Sequence, residues 1–355
     1  MKSILPVLTI IAAVLFIWTL AVVPMNMHLT ADQAQRSGAI VTPDTPVARK
    51  ETNGIVLALK NPHLIALTYV GKRPNLPSPH QVGLEMFDTI FGKKITSKRS
   101  LVYHGWITLA PTLLGFAIGT LLGVLLAVGI VFSRVMDKSV MPWAIVSQTI
   151  PILALAPMII VVLGAAGIHG VLPKSVIAAY LSFFPVVVGM VKGLRSPDHM
   201  QLDLLRTYST NNVQSFWKLR LPSSTPYLFA SLKIGISASL IGTIVAELPT
   251  GAKAGFGARM LVGDQYGQPI LSWAALFAAA LTAAALVGII SLVERGALRV
   301  VVGTHRLRIG RRRDDGRCRE VERAVGLVVH EGRLDHQLLA RRPVDCQAVG
   351  VVGVL

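Results

Sequence analysis

The sequence predicts an all-α membrane protein with about six transmembrane helices. Hydrophobic residues make up 52% of the 355 residues and charged residues 15%, and the mean hydropathy is +0.59, which nearly excludes a water-soluble fold. Six apolar stretches reach the roughly 20 residues with which a helix crosses a bilayer while satisfying its own backbone hydrogen bonds. The stretches are Ile4–Val23, Trp106–Phe132, Met141–Leu163, Val171–Val191, Tyr227–Ala246 and Leu271–Val293.

The first stretch predicts an uncleaved transmembrane anchor over residues 1–23. A lysine before an apolar core, here Lys2, also occurs in signal peptides, but this core is longer than the usual ~7–15 residues and lacks a clear A-x-A site. Residues 24–105 then form an expected external linker and interfacial segment. Within it we expect flexible chain over Arg36–Glu51 and an amphipathic helix on the membrane surface over Val82–Phe91.

Basic residues in the short loops predict that both termini are cytoplasmic. In this orientation the cytoplasmic loops hold Arg134, Lys138, Lys192, Arg195, Arg206, Lys218 and Arg220, and the external loops hold Lys174, Lys253 and Arg259. Four basic residues disagree with this orientation because it places them outside, namely Lys93, Lys94, Lys98 and Arg99. They belong to a connection that is longer than those over which the rule holds. The formal net charge of +17 suits anionic lipid headgroups or nucleic acid, and the apolar spans make membrane lipid the expected partner, with no nucleic acid.

Small residues at four-residue spacing mark one face of the second helix. Gly115, Gly119 and Gly123 fall on that face, where a neighbouring backbone can approach closely. The stripe predicts static helix packing, with a face that slides during gating as the alternative.

Prolines and polar residues interrupt the third stretch, and an acidic residue closes the fifth. Pro151 and Pro157 remove two backbone donors and predict a bend, which in lipid must face protein or a cavity. With Gln148 and Thr149 they suggest a wall of a translocation path, while a kinked structural helix explains them equally well.

Glu247 is a candidate for the same path. An ionisable group near hydrocarbon is energetically costly, so its presence there suggests a function. A position of Glu247 at the wet membrane interface is an equal alternative.

The connection between the fourth and fifth stretches, residues 196–226, predicts two short helices. The first covers about His199–Tyr208, Ser209–Asn212 interrupts the pattern, and a second turn covers Val213–Leu219. Their apolar and aromatic residues make a surface that a cytoplasmic partner can seat in a groove.

Several segments within residues 74–302 resemble one protein family. They are Leu205–Thr210, Phe216, Leu219–Pro222 and Pro226–Leu228 in the loop, and Ile150–Pro157, Phe183–Pro185, Ala246–Glu247 and Gly255–Arg259 elsewhere. The pattern resembles permease subunits of binding-protein-dependent ABC importers of the nitrate/sulfonate/taurine-type branch. Within this branch, the sequence resembles the pyrimidine or thiamine-precursor subgroup more closely than the sulfonate subgroup. One departure is Ser209-Thr210, where the family usually has Gly-Ala.

The resemblance implies the type I ABC importer permease fold over residues 106–302, a permease homodimer and a place in the bacterial inner membrane. It also implies a cytoplasmic ATPase dimer that binds ATP and Mg²⁺, and a periplasmic or lipid-anchored substrate-binding protein. The loop would contact the ATPase through Asp203, Arg206, Thr207, Tyr208, Ser209, Thr210, Phe216, Trp217, Leu221 and Pro222. The transported solute stays open, although a path without a fixed cationic clamp favours a neutral or heterocyclic one.

Other functions are weaker interpretations. The sequence has no Gly-x4-Gly-Lys-Ser/Thr loop, so ATP hydrolysis is expected on a partner chain and no cofactor on this one. An ion-gradient-driven secondary transporter is the main alternative, but such proteins usually show more spans, internal repeats and embedded carboxylates. Intramembrane enzyme motifs are missing, as is metal or disulfide spacing around Cys318 and Cys346. Residues 303–355 form an arginine-rich extension that either grips anionic lipid or is disordered or translated out of frame.

Overall fold

The computed structural model describes the backbone of residues 4–249, 252 and 254–313, and the side chains as far as residue 297. All regular structure in that part of the chain is helical. The helices are α1 (Ile4–Arg36), α2 (Pro46–Glu51), α3 (Gly54–Lys60), α4 (Ile65–Thr68), α5 (Pro79–Phe87), α6 (Leu101–Phe132), α7 (Arg134–Ser147), α8 (Ile152–Ala165), α9 (Val171–Leu194), α10 (His199–Thr207), α11 (Asn212–Ser215), α12 (Leu221–Glu247), α13 (Phe256–Gln265) and α14 (Pro269–Arg313). Most of the predicted extension over residues 303–355, with both cysteines, lies outside the described residues.

Within the part of the chain that the structure describes, five helices are long and apolar enough to cross a membrane: α1, α6, α9, α12 with the residues that lead into it, and α14. The pair of α7 and α8 adds a sixth span if the two helices together cross once. This count, with the helical content, confirms the predicted all-α fold of about six transmembrane helices.

The third span differs from the single bent helix that the sequence predicted. Helix α7 ends at Ser147, α8 begins at Ile152, and the two are bent by 99° at the break. Pro151 stands directly before α8 and has no N–H to continue the hydrogen bonding of α7. Pro157 lies within a continuous α8, so the span is broken at one proline and passes the other without a break.

Helix α1 continues to Arg36 and does not end near Val23 as expected. Its second half has a surface to pack on, because Met27 and Ala31 form a buried cluster with Leu57 of α3 and Leu64. Burial of this apolar face stabilises helix well beyond the membrane anchor.

Residues 36–51 are folded against α1, where a flexible linker was expected. Helix α2 occupies part of this stretch, and its Arg49 is only 2% exposed. The Arg49 guanidinium forms an ion pair with Asp32 at 2.8 Å and donates to the side-chain oxygen of Gln35. A buried charge needs such partners, so these contacts hold the connection against α1.

The chain divides into two compact units. The first unit holds residues 1–123, 139–185 and 234–287, and the second holds 124–138, 186–233 and 288 onward. The loop over residues 196–226 belongs to the second unit and Glu247 to the first.

Candidate functional site

The loop over residues 196–226, called the coupling loop below, begins with α10. This helix starts after Asp198 in extended conformation and ends in a turn that satisfies its last carbonyls. The N–H of Ser209 donates to the carbonyl of Arg206 at 2.8 Å, and the N–H of Thr210 donates to that of Leu205 at 3.2 Å. This pair of bonds is the Schellman pattern of helix C-termini, which requires a left-handed residue just past the helix.

Ser209 is that left-handed residue, with φ of +55°. Among the described residues it is the one non-glycine residue with a positive φ, and a side chain there costs about 1–2 kcal/mol relative to the right-handed conformation. Thr210 offsets part of the cost, because its hydroxyl also donates to Leu205 O at 2.7 Å. The turn therefore forms without the glycine that the resemblance led us to expect.

The second half of the loop is continuous with a membrane helix. Helix α11 starts where the side chain of Gln214 accepts the N–H of Asn211 at 3.3 Å. A π-helical turn over Phe216–Arg220 then leads directly into α12. Pro222 has no N–H to continue the regular α-helical hydrogen bonding, and the π-helical turn lies just before it. A force on this half of the loop therefore meets α12 with no flexible joint between them.

Large apolar side chains of the coupling loop point into solvent. Met200 is 77% exposed and Trp217 is 63% exposed, and Tyr208 and Val213 are similarly open. Phe216 packs edge-on between Phe132 of α6 and Trp217, with ring centroids at 5.6 and 5.5 Å. A shallow, largely apolar cavity of about 310 Å³ is lined by Phe132, Asn212, Val213, Phe216 and Trp217.

The base of the coupling loop is held by charged groups of the second unit. Arg195 forms an ion pair with Asp137 at 2.9 Å, and Arg220 donates to the carbonyl of Leu194 at 3.1 Å. Most of the residues predicted to contact an ATPase are exposed, namely Asp203, Arg206, Thr207, Tyr208, Ser209, Trp217 and Pro222. The remaining ones are partly buried, namely Thr210, Phe216 and Leu221.

A second cluster of functional candidates surrounds Glu247, which is fully buried at the end of α12. Its carboxylate accepts the hydroxyl proton of Thr108 from α6 at 3.0 Å and the backbone N–H of Gly257 at 2.9 Å. Lys174 of α9 stands 3.6 Å away as a counter-ion and is itself mostly buried. Three spans and the chain leading into α13 therefore meet at one carboxylate, which we call the Glu247 cluster.

His104 and Thr108, one turn apart on α6, fix the chain that enters α13. His104 accepts the N–H of Gly255 through Nδ1 at 2.9 Å and faces the carbonyl of Lys98 through Nε2 at 2.9 Å. This pairing requires a neutral imidazole protonated on Nε2. Thr108 Oγ1 accepts the N–H of Phe256 at 3.0 Å, so the backbone just before α13 is tied to α6.

Two glycines let this chain approach the carboxylate. Gly255 has φ of +129°, and a Cβ at this position would overlap the side chain of Glu247. A Cβ at Gly257 would overlap the carbonyl of Ile244 and stand 2.9 Å from Glu247 Cβ. The sequence pattern singled out the acid and these glycines, but it did not identify Thr108, Lys174 or His104.

Polar side chains continue from this cluster along the contact of α6 with α12. The Ser239 hydroxyl donates to the carbonyl of Thr112 at 2.7 Å, and the hydroxyls of Thr112 and Thr243 are 3.0 Å apart. All three are fully buried.

The same helix α6 meets α9 through its glycines. A Cβ at Gly115 would stand 2.7 Å from the carbonyl of Ser175, and a Cβ at Gly119 would overlap the side chain of Ser182. Gly123, the third glycine of the predicted stripe, is buried as well.

The polar residues at the break between α7 and α8 have a different environment. Gln148 Nε2 is buried without a hydrogen-bond partner among the described residues, and Thr149 is exposed. The hydroxyl of Tyr180 donates to the carbonyl of Ser147 and so satisfies the end of α7.

Arg259 on α13 lies outside the membrane spans and is partly buried. Burial lowers its pKa, and Arg99 acts in the same direction while Glu85 opposes both. Because the ordinary pKa of an arginine lies far above neutral pH, the guanidinium stays charged and attracts the Glu85 carboxylate.

Comparison with known proteins identifies the family. Residues 119–298 match the family described as binding-protein-dependent transport system inner membrane component. A probable ABC transporter permease protein of Haemophilus influenzae is 31% identical over 200 residues, which cover 56% of this chain and 76% of that one. The formylaminopyrimidine transport permease protein ThiX of Halalkalibacterium halodurans is 30% identical over 193 residues, covering 54% and 72%. The nitrate import permease protein NrtB of Synechocystis is 26% identical over 206 residues, covering 57% and 72%.

Permeases of this kind work with an ATPase that uses ATP and with a substrate-binding protein, in the bacterial inner membrane. This multi-span chain is therefore expected to work with the same classes of partner, an ATPase and a substrate-binding protein, in the bacterial inner membrane. The predicted family, fold and transport role are confirmed, and nothing favours a secondary transporter. The chain belongs to the family of binding-protein-dependent transport system inner membrane components, as a permease subunit of an ABC importer of the nitrate and sulfonate branch.

Proposed function

We propose that the coupling loop docks on the ATPase subunit and carries its movement into the membrane through α12. The observation that supports this most directly is the set of exposed large apolar side chains, Met200, Tyr208, Val213 and Trp217. Exposed aromatic residues beside a shallow apolar cavity are typical anchors of protein interfaces. Here Trp217 is the central anchor, since it lines the cavity and its neighbour Phe216 packs on α6.

The remaining predicted contact residues surround this anchor. Asp203 and Arg206 pair at 3.3 Å on the exposed face of α10, where they can exchange partners with charged groups of the ATPase. Thr207, Ser209 and Thr210 shape the turn that separates α10 from α11. Leu221 and Pro222 begin α12 and make the mechanical connection, because a packed helix moves as a unit.

The proposed cycle needs two permease copies with cytoplasmic termini, one on each half of an ATPase dimer that binds ATP and Mg²⁺. Closure of that dimer pushes both coupling loops and switches the pathway from inward to outward access. A periplasmic or lipid-anchored binding protein delivers the solute from outside. The basic residues Arg195 and Arg220 at the base of the loop support this orientation by the positive-inside rule.

We assign the translocation path to the break in the third span. Gln148 and Thr149 present polar groups there, and the buried amide nitrogen of Gln148 has no protein partner among the described residues. Irregular backbone at Pro151 is tolerated in a membrane where it lines a cavity, and Pro157 lies within the helix that follows. Glu247 is engaged by Thr108, Lys174 and Gly257, so we place it behind the path, as the residue that positions the walls.

A neutral or heterocyclic solute fits this lining. The polar residues at the break are uncharged, and a fixed cationic clamp for an anion is missing from the path as we assign it. Of the relatives, ThiX is named for formylaminopyrimidine transport, which supports a solute of the pyrimidine or thiamine-precursor kind.

The docking role is tested with the chain reconstituted in liposomes together with its ATPase and binding protein. Trp217→Ala should weaken ATPase binding by roughly 30-fold, as expected for an interface anchor, and should uncouple ATP hydrolysis from uptake. Arg206→Glu should also uncouple. Trp143→Ala on α7 is the matched control, because Trp143 is a tryptophan outside the loop that is at least as exposed as Trp217.

Two outcomes would contradict the proposal. One is unchanged uptake in Trp217→Ala liposomes with normal assembly of the complex. The other is solute uptake by the permease alone, without ATPase or ATP, which would point to a secondary transporter.

A further inference from the structure

Helix α5 and the turn after it carry two apolar faces, of which one is buried in the protein. Val82, Met86 and Ile90 pack into a core with the alanines at the start of α14 and with Phe256. The opposite face carries Leu84, Phe87, Phe91 and Ile95, each at least 64% exposed. The rings of Phe87 and Phe91 stand 5.1 Å apart, so the exposed side chains form one continuous apolar ridge.

Cationic side chains follow this ridge directly. Lys94, Lys98 and Arg99 are exposed and form no ion pair among the described residues. The two acidic residues of this segment face other cations: Asp88 pairs with Lys93 at 2.9 Å, and Glu85 acts on Arg259. Three positive charges are therefore left for an external partner.

Tryptophans place the ridge at the level of the membrane interface. Trp18 of α1 donates from its indole nitrogen to the carbonyl of Pro77, just before α5, and its ring lies tilted against that of Trp273 at the start of α14, with ring centroids 5.2 Å apart. Trp106 at the start of α6 is 75% exposed. Tryptophans at the ends of membrane spans mark the headgroup region, and α5 lies beside the end of two such spans.

We infer that residues 84–99 bind the anionic headgroup layer of the membrane, with the Leu84, Phe87, Phe91 and Ile95 ridge in the acyl boundary and Lys94, Lys98 and Arg99 on lipid phosphates. This combination of apolar insertion and basic residues is the usual composition of interfacial membrane anchors. Three of the four cations that disagreed with the loop-charge rule thereby have a partner of opposite charge, and the fourth, Lys93, pairs with Asp88. An acidic protein surface is the competing occupant, and the apolar ridge beside interfacial tryptophans favours lipid.

The test uses the full chain with Cys318→Ser and Cys346→Ser, reconstituted in phosphatidylcholine vesicles with or without phosphatidylglycerol. A fluorescent label is placed at Phe91→Cys, and at Glu51→Cys as a control on an exposed helical position of α2. We expect a lipid-borne quencher to reach the label at position 91 and an aqueous quencher to reach the one at position 51. Phosphatidylglycerol should increase the depth at which the label at position 91 inserts into the bilayer.

The charge contribution is measured with Lys94→Gln, Lys98→Gln and Arg99→Gln. Each lost cation should reduce the preference for phosphatidylglycerol roughly fivefold, whereas Lys50→Gln, Lys60→Gln and Lys72→Gln, all exposed elsewhere in the same unit, should leave it unchanged. Quenching at position 91 that is independent of phosphatidylglycerol would overturn the inference. A label at position 91 that is open to water until the binding protein is added would also overturn it, and would identify a protein docking surface.

Discussion

At the turn between α10 and α11 of the coupling loop, the stabilising hydrogen bonds join residues at most five positions apart, such as Thr210 and Leu205. In the Glu247 cluster, Thr108 and Glu247 are 139 positions apart. The loop exposes its apolar side chains, while the cluster buries a charged pair. The loop can thus change partners without loss of its own structure, whereas the cluster holds its spans together only if every partner is present.

This difference separates two requirements of a permease. A surface that binds and releases a motor needs local stability and exposed contacts. A junction that keeps several spans in register needs contacts that are expensive to break, and a desolvated ion pair with hydrogen bonds meets that need. Substitutions should therefore affect coupling in the loop and stability in the cluster.

The largest effect on stability is expected at Glu247. Glu247→Ala leaves Lys174 largely buried without its counter-ion and should lower the free energy of unfolding by about 3–5 kcal/mol. Asp203→Ala removes the acid of the exposed pair with Arg206 and should cost at most about 0.5 kcal/mol. Thermal unfolding in detergent, followed by size-exclusion chromatography, compares the two variants.

A double-mutant cycle of Glu247→Leu and Lys174→Met provides the control. If the pair interacts as the structure shows, the double variant loses less stability than the two single variants added together. Additive losses would mean that the 3.6 Å approach of the two groups contributes nothing.

A smaller but still large loss of stability is expected for Gly255→Ala. The new Cβ overlaps the Glu247 side chain and adds strain at a positive φ, which together cost about 1–3 kcal/mol. Gly288→Ala is the matched control in α14, where a Cβ meets nothing within 4 Å and alanine should stabilise the helix by up to about 1 kcal/mol. Equal melting temperatures for the two variants would argue against the close approach at Gly255.

The same contrast explains which features the sequence made predictable. Helix α10, the break after it and the turn through Phe216 follow from local residue patterns, and the structure contains all three. The long membrane spans follow from hydropathy in the same way. Lys174, by contrast, was assigned to an external loop, because nothing in its neighbourhood in the sequence indicates a carboxylate on another helix.

Two errors had the same origin in distant contacts. The extension of α1 and the folding of residues 36–51 depend on the cluster of Met27 with Leu57 and on the ion pair of Arg49 with Asp32. Local composition, rich in polar residues and proline, favoured a linker there. Tertiary packing overrides such local preference whenever an apolar face or a buried charge finds a partner.

The smallest expected effect concerns the turn of the coupling loop. Ser209→Gly relieves a left-handed serine, which is worth about 1–2 kcal/mol, but it also adds about 0.5–1 kcal/mol of backbone entropy to the unfolded chain. The net gain is therefore about 0.5–1 kcal/mol, felt within α10 and its turn. Ser215→Gly in α11 has a helical backbone and should lose stability, so the two substitutions are expected to have opposite signs. Amide hydrogen exchange of Ser209 and Thr210, whose N–H groups close the turn, measures the effect. Slower exchange in Ser209→Gly would show that this chain tolerates a strained residue where glycine is usual, and unchanged or faster exchange would show that the hydroxyl bond of Thr210 already compensates for it.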